Sequence, residues 1–452
     1  MKFHVVTYGC QMNVRDSEAV SALLMRQGYE RAEGEADAEI IVVNTCSVRG
    51  KAEAKALGKL GLLVADSRRN HPDRVIGVMG CMVQRLGAEL FKKVPGLGFG
   101  VGTHAFSRLP LVLQEVFEGK MPVLDVAEDD APEALTGHIE GALSAFVNIL
   151  LGCDRRCTYC IVPYVRGREW SRPVDRVVDE VRELTTKGVC EVTLLGQSVM
   201  NYGRRNEVWP EGSTSPGGYE TPFPRLLEAV DAIEGLERVR FTSGHPSGCT
   251  TELTRAMAEL PSVCEHLHLP LQSGSDPILE QMRRGYTADQ FRQAARALQA
   301  AVPGVALSTD IIVGFPGETA EDFERTRAFM DEIGFDNAFI FKYSPRSGTP
   351  AAEWPDDVPD EEKMRRNKVL LEDQTRRVEA INAALVGQRV NVLVEGPSLR
   401  NAARWSGRTR TNKVVVFDPV PGVERGGCVD VDVERVTATT LYGTIEGSRL
   451  NI

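Results

Sequence analysis

Three times in the first 81 residues an apolar run ends on a cysteine: FHVVTYGC closes at Cys10, EIIVVNTC at Cys46 and RVIGVMGC at Cys81. Each run is continuous rather than alternating, the pattern of a parallel strand covered on both faces. Helical stretches at 16–27 and 51–64 separate the runs, so the chain opens as a βαβ layout on a parallel sheet. All strand carboxyl ends of such a sheet lie along one edge, where ligands bind, so three cysteines remote in sequence are expected to meet there. One cysteine at a strand end is commonly a small buried hydrophobe. Three in the same register point to a site with three thiolates.

From 123 to 138 the chain turns acidic and loses periodicity, and this stretch reads as a linker. Six further apolar runs follow (ALSAFVNIL, EVTLLG, ERVRFTS, HLHLPL, VALSTDIIV and AFIFKYS), alternating with helical stretches that include 175–187, 225–233, 289–301 and 320–333. That rhythm fits an incomplete (β/α) barrel. Residues 201–221, rich in Gly, Ser, Pro and charge, interrupt it and read as a surface excursion. A long charged helical pattern at 360–385 leads, after Gly387, into short alternating strands (RVNVLVEG, NKVVVF and VDVDVERV) expected to close as a small β-barrel. The fold class is therefore α/β: an N-terminal parallel α/β domain at 1–122, an incomplete (β/α) barrel at 139–378 and a small β-barrel at 379–447.

With 452 residues and 42% hydrophobic content, the chain can build two or three cores. A net charge of −10 excludes a protein that coats nucleic acid non-specifically, which takes many cations. Met1 leads straight into the first strand with no basic or long apolar leader, and no run is long enough to cross a bilayer, so a cytoplasmic location without a membrane is expected. In a reducing compartment ten cysteines are more readily explained by metal binding or chemistry than by disulfides.

The sharpest motif is GCDRRCTYC, which places Cys153, Cys157 and Cys160 in a C-x3-C-x2-C run just after an apolar strand. Three thiolates on such a loop can hold three irons of a [4Fe–4S] cluster and leave the fourth open. A zinc knuckle would want a fourth ligand in paired short spacings, and no further Cys or His lies nearby in sequence. Cys190, Cys249, Cys264 and Cys428 share no such register, and Cys264 with His266 and His268 reads as core packing on an apolar strand. In the tail, Arg400, Arg404, Arg408, Arg410 and Lys413 cluster around Trp405 without an acidic residue among them, a candidate RNA-binding patch. Replacing Arg408 and Arg410 with Ala is expected to weaken RNA binding and flatten its salt dependence.

The C-x3-C-x2-C spacing resembles the radical S-adenosylmethionine superfamily. TYGCQMN, NTCSVRGKAE, GCDRRCTYCIVPYVRGREWSRP, LPLQSGS, DIIVGFPGE and YSPRSGTPA together resemble its methylthiotransferase family, most closely the bacterial tRNA branch. One departure is Gly50, where the nearest relatives usually carry an acidic residue. The resemblance covers essentially the whole chain and implies a radical SAM core with a TRAM-type RNA-binding barrel behind it. It implies two [4Fe–4S] clusters, an auxiliary one on Cys10, Cys46 and Cys81 and a radical one on Cys153, Cys157 and Cys160. It also implies S-adenosylmethionine near Tyr159 and at the strand ends carrying Gly196, Gln197, Gln272, Ser273, Asp310 and Gly314. The implied activity is sulfur insertion at C2 of N6-dimethylallyladenosine 37 in a tRNA anticodon loop, followed by methylation of the sulfur, by a monomer. Relatives acting on threonylcarbamoyl-adenosine or on a ribosomal-protein aspartate are the alternative, and TYGCQMN leans away from them. A non-catalytic iron–sulfur RNA-binding module would need neither the cysteine spacing nor GFPGE. No motif identifies the reductant or the sulfur donor.

Overall fold

The computed structural model describes residues 1–47, 50–128, 135–139 and 141–445. The first domain runs β1 (Lys2–Tyr8), α1 (Gln11–Arg26), β2 (Glu30–Arg31), β3 (Ile40–Thr45), α2 (Gly50–Asn70), β4 (Val75–Gly80), α3 (Cys81–Leu86), α4 (Glu89–Lys93), β5 (Phe99–Val101), α5 (Leu109–Phe117) and β6 (Val123–Asp125). Its strands form one six-stranded sheet in the order β2-β1-β3-β4-β5-β6, with every neighbouring pair parallel. β3 and β4 are buried at every position. Val42 packs beneath α1 and α5, while Ile41, Val43 and Val78 pack beneath α2. Burial on both faces is why these runs are apolar without alternation.

The stretch read as a linker is only partly one. Residues 123–125 join the sheet as its edge strand, so the first domain extends past residue 122. Residues 129–134 lie outside the described residues, but those that follow are fastened. Arg15 donates to the carbonyls of Gly137 at 2.8 Å and Leu135 at 3.2 Å, and His138 Nε2 lies 2.7 Å from Glu180.

The central domain contains β7 (Ser144–Asn148), β8 (Leu150–Leu151), α6 (Val162–Arg166), β9 (Trp170–Ser171), α7 (Val174–Thr186), β10 (Glu191–Leu195), α8 (Pro222–Asp231), β11 (Arg238–Phe241), α9 (Thr251–Glu259), β12 (His266–His268), α10 (Asp276–Gln281), α11 (Ala288–Ala301), β13 (Ala306–Val313), α12 (Ala320–Ile333), β14 (Asn337–Lys342) and α13 (Asp360–Ala383). Two parallel sheets, β7-β10-β11 and β12-β13-β14, meet at a parallel bridge between Val239 and Val263. Among the described residues no ladder joins β14 back to β7, so the curved wall stays open as an incomplete barrel. The 201–221 stretch is no loose excursion. Tyr202, Val208 and Tyr219 are buried in the main core, and the Arg225 guanidinium lies 4.1 Å from the centre of the Trp209 ring. Its Gly and Pro residues disguised these anchors.

The tail closes as a five-stranded barrel of β15 (Arg389–Ser398), β16 (Asn401–Thr409), β17 (Val414–Phe417), β18 (Cys428–Val436) and β19 (Thr440–Ile445), in the order β15-β16-β17-β19-β18. α13 leads directly into it, so the expected 378/379 boundary falls inside a helix; residues 446 and 447 lie outside the described residues. The barrel docks beneath the central domain, at the amino ends of its strands. Arg238 donates to Arg408 O at 2.6 Å, and Arg240 donates to the carbonyls of Arg410 and Thr409 at 2.7 and 2.8 Å.

An ion cluster locks the first domain onto the second. Glu180 on α7 lies 3.0 Å from Arg15 of α1 and 2.6 Å from Arg172, and all three side chains are almost fully shielded from solvent. Burial alone would raise the Glu180 pKa, but His138, Arg172 and Arg15 outweigh it and pull the value down to about 2. Burial likewise disfavours charged His138, yet the Glu18 and Glu180 carboxylates raise its pKa. Glu180→Leu should cost about 3–5 kcal/mol in urea unfolding because it strands two buried guanidinium groups. A raised His138 pKa stabilises the fold fully below the unfolded value near 6.5 and loses that contribution as pH climbs through the folded value. His138→Gln should therefore narrow its stability deficit as pH rises above 6.5, and a deficit that is flat across that window would exclude His138 from the linkage.

Candidate active site at two cysteine triads

The N-terminal triad is built from strand ends. Cys10 is the N-cap of α1, Cys46 follows β3 directly and Cys81 opens α3. Side-chain amides tie these ends together. Asn13 Nδ2 donates to Asn44 Oδ1 at 3.0 Å and Thr45 O at 3.1 Å, Asn44 Nδ2 returns to Asn13 O at 2.8 Å, and Thr45 Oγ1 donates to Met79 O at 2.8 Å. The Cys46 thiol hydrogen-bonds to Cys10; with the Arg166 charge and the free amides of Met12 and Asn13 it overcomes burial and lowers the Cys10 pKa to about 6. Burial pushes the Cys81 thiol up, against the pull of Arg166. Val48 and Arg49 lie outside the described residues; Gly50 opens α2 where a Cβ would stand 3.2 Å from Arg346 Nη1.

The second triad sits on the loop after β8. Gly152, at φ +74°, lets that loop start beside the backbone, since a Cβ there would lie 2.0 Å from Arg168 O. Thr158 pins its middle by donating Oγ1 to Gln281 O at 2.8 Å, while its carbonyl accepts from Ala351 N at 2.9 Å. Arg284 donates to Cys157 Sγ at 3.3 Å and to the Tyr159 hydroxyl at 3.4 Å. Burial drives Cys153 up to about 11 and Cys160 up to about 12, and their mutual charges with Cys157 add to the rise. The two triads share one pole of the molecule, because Ile161 and Val165, just past Cys160, pack against Cys81. Among the described residues no three His, Cys, Asp or Glu side chains converge on a single ion. A cubane does not ask for that, since each thiolate takes its own iron.

The other strand-end residues divide. Gln197 Oε1 is buried without a hydrogen-bond partner, as are Ser198 Oγ and Asn201 Oδ1 further along the same loop; Gly196 precedes them against Leu150. Gln272 is buried with φ +71°, a conformation uncommon outside glycine. Asp310 Oδ2 lies 3.3 Å from His268 Nε2, and Phe339 packs edge-on to His268. His268 is thus packed and hydrogen-bonded, with its side chain 14% exposed. Two of the residues are engaged within the protein itself. Ser273 Oγ is engaged by Thr326 Oγ1 at 3.2 Å and Ser275 N at 3.2 Å, so it serves the α12 packing. The close approach at Gly314 is to Lys363, whose Cγ would be 2.3 Å from a Cβ, and its amide is closed by Glu318 at 2.6 Å. Tyr159 stands edge-on to Phe315 with ring centres 6.3 Å apart.

Sequence reading missed Arg284, Arg166 and His245. His245 lies past Ser243, a non-glycine residue at φ +60°. Burial and the charges of Arg284 and Arg155 lower its pKa to about 2, so it is a neutral imidazole with Nε2 unpartnered. Only its position behind the ERVRFTS strand could have signalled it.

The basic tail window is split by the fold. Arg410 pairs with Glu265 at 2.8 Å and donates to Val263 O at 2.7 Å, and Lys413 pairs with Asp336 at 2.8 Å, all across the seam with the central domain. These two are docking residues, a correction invisible in sequence because their carboxylates lie far along the chain. Arg404 and Arg408 make open surface pairs with Asp418 and Glu395, worth at most about 1 kcal/mol each. A phosphate can displace such partners. Arg400 is exposed, and Trp405 is half-buried on the barrel core.

Residues 2–102 match the Uncharacterized protein family UPF0004, 147–330 the Radical SAM superfamily and 383–445 the TRAM domain. A protein of Moorella thermoacetica named tRNA-2-methylthio-N(6)-dimethylallyladenosine synthase is 46% identical, over 98% of this chain and 97% of its own. Its namesake from Akkermansia muciniphila is 45% identical over 98% of both. The chain belongs to the tRNA-2-methylthio-N(6)-dimethylallyladenosine synthase family. The radical S-adenosylmethionine methyltransferase TsrM from Kitasatospora setae shares the fold, with a TM-score of 0.57 over 78% of this chain and 77% of that one at 14% identity.

For this synthase family the radical SAM domain implies a [4Fe–4S] cluster and S-adenosylmethionine. The residues present fit both. Three clustered thiols, two of them too desolvated to ionise alone, suit metal-bound thiolates, and the unpartnered atoms of Gln197, Ser198, Asn201 and His245 offer polar contacts nearby. With the TRAM domain, a tRNA substrate follows for a synthase of this family. Arg404→Ala should lower the salt slope of tRNA binding by about one, whereas Arg410→Ala should leave the slope unchanged and speed proteolysis between α13 and the barrel. Equal slopes for both variants would dissolve the distinction.

Proposed function

We propose that this chain converts N6-dimethylallyladenosine at position 37 of tRNA to its 2-methylthio derivative, as a cytoplasmic monomer carrying two [4Fe–4S] clusters. The single observation that carries the reading is near-full-length similarity to synthases of that name at 41–46% identity, in a chain with two cysteine triads at one pole. Cys153, Cys157 and Cys160 hold the radical cluster, and Cys10, Cys46 and Cys81 the auxiliary one. When bound, the clusters and S-adenosylmethionine supply hydrogen abstraction from an unactivated C–H position, a sulfur atom and a methyl group.

The chain's own residues bind and orient. Arg284 steadies Cys157 and Tyr159 from inside the central domain. Neutral His245 and the Gln197 and Ser198 oxygens present uncharged donors and acceptors to the polar ends of S-adenosylmethionine. Gly196 and Gln272 follow the carboxyl ends of β10 and β12, and Asp310 lies within β13 beside them. Arg400, Arg404 and Arg408 contact phosphates, and Trp405 offers a face for stacking. Adenosine 37 must leave its stack to reach the cysteine pole, which favours an anticodon loop over a duplex.

Purified anaerobically with iron and sulfide, the protein should hold about eight irons per chain, and Cys157→Ala should fall to about four. With dithionite, S-adenosylmethionine and tRNA carrying the dimethylallyl group, it should release 5′-deoxyadenosine and form the 2-methylthio nucleoside, detected by mass spectrometry. Cys157→Ala should lose at least about 100-fold in both. Product only on threonylcarbamoyl-adenosine, or release of 5′-deoxyadenosine without any tRNA product, would overturn the substrate.

A further inference from the structure

The two cysteine sites are joined by one short segment. Cys160 closes the core triad, and α6 ends at Arg166. Arg166 is buried, and its guanidinium reaches out of its own domain. Its Nε donates to Cys81 Sγ at 3.3 Å and its Nη2 to Asp16 at 2.7 Å. The Arg166 and Asp16 side chains are only 7% and 6% exposed, so either one alone would be a stranded buried charge.

The neighbours of Arg166 are fixed to the same place. The Thr103 hydroxyl of the first domain donates to Val165 O. Gly167, at φ +70°, stands against His104, where a Cβ would come within 2.7 Å of the ring. Three consecutive core residues thus bear on the N-terminal domain, and the charged one points at a thiol. Asp16 satisfies one nitrogen of the guanidinium, while Nε, on the same edge, faces sulfur. A neutral thiol is a weak acceptor, whereas a metal-bound thiolate accepts such a bond strongly, and hydrogen bonds to cluster sulfurs are among the factors that set cluster potentials.

Building on the two-cluster function above, we propose that Arg166 is a positioning residue of the N-terminal site: anchored by Asp16, it donates to the Cys81 sulfur and stabilises the reduced state of the cluster held there. The core domain thereby supplies a positive charge at this sulfur, and docking of the two domains completes the site. Arg284 does the equivalent for Cys157 from within its own domain.

The test uses the full chain with Cys153, Cys157 and Cys160 replaced by Ala, so that only the N-terminal site can hold iron. Reconstituted anaerobically, this parent should keep about four irons. A parent without iron defeats the two-cluster function, and this inference with it. In the parent, Arg166→Gln should shift the EPR-monitored midpoint negative by at least tenfold in the reduction equilibrium, about 59 mV for a one-electron couple. Arg166→Lys keeps the ion pair with Asp16 and should recover part of the shift. Should Arg166→Gln fail to fold, Arg166→Lys alone is read and should still shift negative. In the protein with all six cysteines, Arg166→Gln should leave the core cluster's midpoint unchanged. Unshifted midpoints in an iron-bearing parent, or equal shifts at both clusters, would overturn the role of Arg166 while leaving the two-cluster function standing.

Discussion

The mutual placement of the two α/β domains depends on one buried carboxylate. Glu180 is held between guanidinium groups from both sides of the junction, Arg15 from the first domain and Arg172 from the second. Buried ion clusters are poor sources of net stability but costly to leave half-paired, so they penalise any other docking angle. With that angle set, α6 comes to rest on Cys81, and the loop bearing Cys153, Cys157 and Cys160 faces the same pole as the N-terminal strand ends. Parallel topology does the remainder by delivering each cysteine to a carboxyl end.

Much of the fold was legible because its signals are local. α12 occupies residues 320–333 as expected, since Thr319 and Asp322 form a capping box in front of an amphipathic run. The strand runs ending at Cys10, Cys46 and Cys81 declared themselves by continuous apolarity. What stayed hidden was non-local. Nothing near Arg410 discloses that Glu265 will meet it from 145 residues away, and nothing in a stretch of Gly and Pro discloses that Tyr219 will be buried. Edge strands as short as Val123–Asp125 carry too few residues to show a period.

The site divides in the same way. Cysteine spacing exposed the thiols but not the groups that govern them. Asn13 and Asn44 knit three strand ends, and Arg166 and Arg284 reach their sulfurs across 85 and 127 residues. Ser273 and Gly314 looked like ligand contacts because polar and glycine residues at strand ends serve packing and binding alike. Only the identity of the neighbour, Thr326 in one case and Lys363 in the other, separates the two uses.

The small barrel is attached at the amino ends of the central strands, whereas every cysteine of the two triads lies at carboxyl ends. β13 runs from Ala306 to Val313, about 23 Å at ~3.3 Å per step, and separates those two levels. A ligand that touches both the barrel and the thiols must therefore span that distance. The architecture acts as a ruler: a free nucleoside is shorter than a core strand and can touch one end or the other, but not both at once.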